Sequence, residues 1–447
     1  MRRGFLILAW ACFAGLAWAS SAAASGLTID LGGAIAFALK HNPTLRISEK
    51  DIATEGFGVD SAKADRMPKV DFGSGVTRYR YPTPLSPIVL ASPLNLAALN
   101  LPDFERTIYD AGASFRLPLY RGGRITGNIR IAEMKKALAR DNYRASRQDL
   151  VFNLTSAYHK ILQLQKLLEA NEASVIEFER HRADVNAFLK AGSVPRLDLL
   201  RTEVELAHAR ENVLVVRHNL ESTFELLKNL MGMEETDATF SLVEPPRSQG
   251  PYPSKEESLA EALRKRPDFQ AVAKKKAIAE DRIQVARGKW FPDVAGSGQY
   301  IRKGSDGTSY KEDFFLGLRL NIPIFDGGLI RAEVNKEKTE LEKVRQEERA
   351  LRLSILREVD DAHLSIANAV ERIEVAQEAL DSAKERLRVE QLKYEAGTGT
   401  STDVIDAQTA LLRSENDWYQ ALYDREIALA SLRKAVGESP AGEEVLQ

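Results

Sequence analysis

The chain has 447 residues, with 62 Lys and Arg against 64 Asp and Glu and a formal net charge of −2. That balance carries no basic excess for nucleic acid, which is not expected as a partner. The one cysteine, Cys12, lies in the N-terminal segment, so the rest of the chain offers neither disulfides nor thiolate metal sites.

Residues 1–24 have the layout of a secretory signal: Arg2 and Arg3, an apolar stretch from Phe5 to Leu16, and small residues at Ala22, Ala23 and Ala24. Trp10 stands where lipid attachment at Cys12 would need a small residue, which favours a plain signal. No other segment approaches the ~20 uninterrupted apolar residues of a spanning helix. An exported protein without a helical span is expected.

From residue 25 to 243 the pattern is helix, strand, strand, long helix, turn, helix. Helical spacing covers Asp30 to Asp65, β-like segments run from Lys69 to Tyr81 and from Tyr109 to Tyr120, and helical spacing resumes from Gly123 to Lys190. It breaks at Gly192, Ser193, Val194 and Pro195 and continues from Arg196 to Met231. A Pro/Ser/Gly-rich linker, 244–254, leads to a second unit, 255–437, with the same order. That unit reads as helix from Lys255 to Trp290, strands near Asp293 to Arg302 and Phe314 to Ile324, then helices from Asp326 to Ala396 and Ser401 to Val436. Residues 438–447 form a tail.

The repetition is literal. Leu117-Pro118-Leu119-Tyr120-Arg121-Gly122-Gly123 returns as Ile322-Pro323-Ile324-Phe325-Asp326-Gly327-Gly328, and Asn42-Pro43 returns as Arg266-Pro267. The first copy also holds an insertion between Tyr81 and Tyr109, with Pro82, Pro84, Pro87, Pro93 and Pro102, which reads as an external loop. Two tandem copies imply one architecture about a pseudo-two-fold.

The long helices carry a seam at every seventh residue: Val359, Ile366, Ile373, Leu380 and Leu387, with Ala362, Ala369, Ala376 and Ala383 between them. Leu199, Leu206, Val213, Leu220 and Leu227 repeat it in the first unit. This period specifies knobs-into-holes coiled-coil packing, and the breaks at Gly192 and Gly397 fold each unit into an antiparallel hairpin, with Ser401 as the expected N-cap. The β segments instead alternate. Phe314, Leu316, Leu318 and Leu320 face one way, Arg319 and Asn321 the other; Phe115 and Leu117 oppose Arg116. Tyr79, Tyr81, Tyr120, Trp290, Phe291 and Phe325 sit near the ends, as interfacial aromatics do.

Four such strands are too few for a membrane barrel, which takes about eight at least. If these strands cross a membrane, protomers must pool them, because an open sheet in lipid leaves edge groups unpaired at several kcal/mol each. The alternative is a soluble one-sided β-layer packed on helices, and the duplication together with the export signal favours the pooled barrel. The fold class is therefore mainly α, with tandem-duplicated coiled-coil hairpins forming an α-barrel and a small transmembrane β part shared between protomers.

Ala38-Leu39-Lys40-His41-Asn42-Pro43, the two Pro-x-(Tyr/Phe)-x-Gly-Gly strand exits, and the run from Tyr394 through Gly397, Asp403 and Asp406 to Ala407 resemble the bacterial outer-membrane efflux protein family, the TolC-like channels. The resemblance implies a homotrimer with a 12-stranded β-barrel in outer-membrane lipid and a helical barrel through the periplasm. It also implies a passive exit duct in efflux or type I secretion, served by a periplasmic adaptor and an inner-membrane pump of the RND, MFS or ABC type. No cofactor or metal is implied.

By the same resemblance, Tyr394, Asp198, Asp403 and Asp406 map to the gate at the hairpin tips. The turns Gly192, Ser193, Val194, Pro195 and Gly397, Thr398, Gly399, Thr400 map to adaptor-docking sites. A Tyr394 hydroxyl bonded to the Asp198 carboxylate would contribute roughly 1.5–3 kcal/mol. An Arg201–Asp406 pair is the plain structural alternative for Asp406. Gly399 stands where some relatives carry a basic residue, which points to a looser closed state.

No phosphate-binding loop or zinc-binding His pair occurs, and the six histidines read as solvated helix surface, so an enzyme is disfavoured. The remaining alternative is a periplasmic coiled-coil adaptor, but such a protein would carry one hairpin rather than two.

Overall fold

The computed structural model describes residues 27–85, 103–234, 240–246, 252–306 and 310–441. The signal segment with Cys12, and Pro87, Pro93 and Pro102 of the insertion, lie outside the described residues. The first unit comprises β1 (Leu27–Ile29), α1 (Leu31–His41), α2 (Pro43–Ala64), β2 (Lys69–Pro84), β3 (Phe104–Arg121), α3 (Arg124–Lys190) and α4 (Arg196–Met231). The short strand β4 (Phe240–Leu242) follows. The second unit comprises α5 (Lys255–Lys265), α6 (Pro267–Arg287), β5 (Asp293–Gly304), β6 (Lys311–Asn321), α7 (Leu329–Glu395) and α8 (Ser401–Val436).

The ends of the long helices fall within three residues of those read from the sequence. α3 and α7 have 67 residues each, about 100 Å at the α-helical rise. The Gly-Gly pairs that precede them need left-handed backbone: φ is 58° and 76° at Gly122 and Gly123, and 66° and 92° at Gly327 and Gly328. A side chain at Gly122 would also strike the Gly288 carbonyl, where the strand exit crosses the 3-10 turn Gly288–Trp290.

Each expected first helix is divided in two, at Asn42 and at Arg266, because a proline follows. Asn42 caps α2 by accepting from Leu45 N at 3.0 Å, and donates to the Leu230 carbonyl at 2.9 Å. At the equivalent place Arg266 donates to Glu358 at 2.6 Å and to Asp268 at 2.6 Å, tying the α5–α6 junction to α7.

A parallel pair, β1 with β4, was not legible in the sequence. It closes the core that packs α1 to α4 around Ile35, Leu154, Tyr158, Ile161, Leu227 and Met231. Tyr158 is fully buried there; its hydroxyl donates to the Val243 carbonyl at 2.5 Å, and burial pushes the phenol up to about 12.

The larger sheet has the order β2-β3-β5-β6, antiparallel throughout. β2 and β3 run longer than expected and pair out to Pro84 opposite Phe104. β6 ends at Asn321 rather than Ile324, since Pro323 has no N–H to donate. Pro118 likewise sits at a register shift in β3. Residues paired across the strands share a face, so Val70, Phe115, Gly298 and Leu316 form one row and Lys69, Arg116, Ser297 and Gly317 the opposite one. The apolar face is bare: Phe314, Leu316 and Leu318 are 76–78% exposed. Among the described residues no helix is long and apolar enough to cross a membrane.

Candidate functional site: the hairpin tips

At the end of the hairpins far from the sheet, α3 turns into α4 and α7 into α8 by the same geometry. Gly192 and Gly397 adopt φ of 75° and 74°. Ser193 N donates to the Phe188 carbonyl and Thr398 N to the Lys393 carbonyl, both at 2.9 Å, which satisfies carbonyls that each helix end leaves free. Gly192, Ser193, Pro195, Gly397, Thr398 and Thr400 are exposed, and Val194 and Gly399 partly so.

The N-cap of α8 is Thr400, not Ser401. Thr400 and Asp403 form a reciprocal capping box: Thr400 N and Thr400 Oγ1 donate to Asp403 Oδ2 at 3.1 and 2.6 Å, and Asp403 N donates to Thr400 Oγ1 at 3.2 Å. Those bonds from Thr400 hold the Asp403 carboxyl below its usual range. Asp406 is exposed one turn further on. The alternative Arg201–Asp406 pair is not formed; Arg201 donates to Thr402 Oγ1 at 3.2 Å.

Tyr394 does not make the expected hydrogen bond to Asp198. It continues the heptad seam one step beyond Leu387 and is buried with Val185, Leu387, Val404 and Ala407. Its ring meets Phe188 edge-on, with centroids 5.5 Å apart. Its hydroxyl finds no hydrogen-bond partner among the described residues. Burial first, then the nearby charges of Asp198 and Asp184, push the phenol up to about 12. Asp198 stays in the first turn of α4, where the helix dipole favours its charge.

The tip also holds residues that sequence reading missed. His181 is buried, not solvated, and its Nε2 lies 2.8 Å from Ser401 Oγ. Thr202 lies 3.4 Å from the same Ser401 oxygen and donates to the Asp198 carbonyl at 2.9 Å. Elsewhere His159 is buried, and burial lowers it to about 4; His363 bonds Ser258 at 3.0 Å. The usable signal was spacing, since His181 falls three residues after Phe178 and four before Val185 on a buried face. Among the described residues no cluster of His, Cys, Asp and Glu is placed to hold a metal.

A one-sided apolar sheet carried on two long helical hairpins is the architecture of an outer-membrane efflux channel. The chain belongs to the outer membrane efflux protein family, whose model matches residues 34–233 and 259–438. It is 25% identical over 423 residues to the outer membrane protein OprJ of Pseudomonas aeruginosa, covering 91% of this chain and 84% of that one. It is 22% identical over 341 residues to the outer membrane protein TolC of Vibrio cholerae, covering 74% and 77%. Its fold matches the Campylobacter jejuni CmeC outer membrane channel with a TM-score of 0.80 at 16% identity, over 97% of this chain and 94% of that one. The protein is an outer-membrane efflux channel that extends into the periplasm; the single-hairpin adaptor alternative has no place in this layout.

Proposed function

We propose that three copies of the chain close one 12-stranded barrel in the outer membrane, each contributing β2, β3, β5 and β6. The observation that carries this reading is the pair of open sheet edges. Among the described residues β2, with 16 residues, and β6, with 11, each have a partner on one side only, and they flank an apolar face. Water on a soluble sheet would satisfy such edges, whereas lipid cannot, and each unpaired group there costs several kcal/mol. Pairing β6 of one protomer with β2 of the next removes every edge and turns Lys69, Arg116 and Arg319 toward a polar lumen.

Beneath the barrel the hairpins of three protomers enclose a periplasmic tunnel, and the tips are its gate. Asp403 and Asp406 ring the entrance. The exposed turns at Gly192–Pro195 and Gly397–Thr400 receive a periplasmic adaptor, which couples the duct to an inner-membrane pump of the RND, MFS or ABC type. The duct is passive; the pump selects the cargo. Residues 1–24 serve export and are removed. Reconstitution of the purified protein in planar bilayers tests the reading: discrete ion-conducting steps from a trimeric species support it, and a monomer that gives none refutes it.

A further inference from the structure

Three helices of the tip meet in one buried polar chain. His181 of α3, Ser401 of α8 and Thr202 of α4 are respectively 4%, 1% and 0% exposed. Their atoms form a continuous path from the imidazole to the Ser401 hydroxyl at 2.8 Å, onward to Thr202 Oγ1 at 3.4 Å, and then to the Asp198 carbonyl at 2.9 Å. The Tyr394 ring of α7 closes the site, its centroid 5.1 Å from that of His181. All four long helices thus converge on one imidazole. Around it the hairpins meet through apolar contacts, formed by Val185, Val404, Ala407, Phe178 and Ile405, and through one exposed bond, from Arg201 of α4 to Thr402 Oγ1 of α8 at 3.2 Å. Apolar contacts permit sliding; a hydrogen bond with fixed donor and acceptor positions does not.

We propose that the His181–Ser401–Thr202 chain is the latch that registers the two hairpins of a protomer in the closed tip, and that proton uptake by His181 releases it. This rests on the tip being the gate. His181 and Ser401 are positioning residues: neither faces the cargo.

The direction of the proton effect follows from what surrounds the ring. On α3 Asp184 faces it, on α4 Asp198, on α7 the neutral Tyr394 phenol, and on α8 the Ser401 hydroxyl. Burial lowers the His181 pKa, and Asp184, the bond to Ser401 and Asp198 offset that only in part. In an open tip the imidazole is hydrated and titrates near its ordinary value of about 6.5. The closed tip therefore binds the proton less readily. Its advantage is complete above about pH 6.5 and is lost as pH falls through the ordinary histidine range.

The test uses the purified trimer in planar bilayers, with open-state occupancy read at pH 7.5 and pH 5.5. Occupancy should rise over this interval, by at most about tenfold per latch, the limit set by an imidazole that titrates near about 6.5 only in the open tip. Ser401→Ala deletes one oxygen and should raise occupancy at both pH values. His181→Gln keeps an amide that can donate to or accept from Ser401 without titrating, and should flatten the pH profile while the channel still closes. A wild-type pH profile in His181→Gln, or wild-type occupancy in Ser401→Ala, overturns the latch. Hexaamminecobalt added at the periplasmic side separates this from failure of the gate itself. Block that Asp403→Asn with Asp406→Asn abolishes, alongside an unchanged His181→Gln profile, leaves the gate standing without this latch. A wild-type pore that is always open and never blocked removes both.

Discussion

Tyr394 and Asp198 are close enough for the carboxylate to raise the phenol, yet the Tyr394 hydroxyl bonds to nothing among the described residues. The ring, not the hydroxyl, is the part of Tyr394 that holds the tip. Tyr394→Phe should leave conductance at its wild-type level, because no bond is lost and a buried polar group is relieved. Tyr394→Ala should raise conductance and cost about 3–5 kcal/mol of local packing, as aromatic truncations in a core do. Bilayer recordings of both variants check this; a large increase with Tyr394→Phe would restore a hydroxyl-based link.

Asp403 is held acidic by its two bonds from Thr400, and it is partly exposed. Its carboxylate stays charged down through the ordinary carboxylate range near about 4, and protonates only below it. Block of the channel by a trivalent cation should therefore persist at pH 5. Anion selectivity at neutral pH would count against an acidic entrance.

Arg266 replaces Asn42 in the second unit and satisfies Asp268 and Glu358 from a nearly buried position. Removing it leaves two carboxylates beside each other without their shared cation. Arg266→Ala should lower stability by about 1–3 kcal/mol, the partners being about one-third exposed. Denaturant unfolding of the purified protein measures it. Asn42→Ala removes only a helix cap and one further bond, so it should cost less, about 1 kcal/mol.

Lys69 and Arg116 share one row of the sheet, and Arg319 stands on the same face near the helical end of β6. A pooled barrel gathers these cations around its base. Arg116→Glu with Arg319→Glu should shift the zero-current potential toward cation selectivity, most strongly at low salt where screening is weak. An unchanged potential would place these side chains away from the lumen.

Much of this architecture was legible because it repeats. The seam at every seventh residue, the paired glycine turns and the proline-marked helix junctions are local signals, and each appears twice. Strand faces were legible from alternation, but strand ends were not: Pro323 cut β6 short, and pairing with β3 carried β2 past Tyr81. β1 and β4 have three residues each, too few for any period to show, and among the described residues each pairs with the other alone. The tip was half visible. The helix breaks at Gly192 and Gly397 were legible from the spacing, whereas Tyr394 proved to be the next residue of the Leu387 seam. His181 was misread as surface because a histidine among charged neighbours looks solvated until Phe178 and Val185 are placed on its face.

The account depends most on the open edges of β2 and β6 being closed by sister chains in lipid. The mass of the purified mature protein in detergent micelles, measured by light scattering with the detergent contribution removed, tests this directly. Three chains per particle is the predicted result. A single chain that stays in solution without detergent and does not partition into lipid vesicles would contradict it.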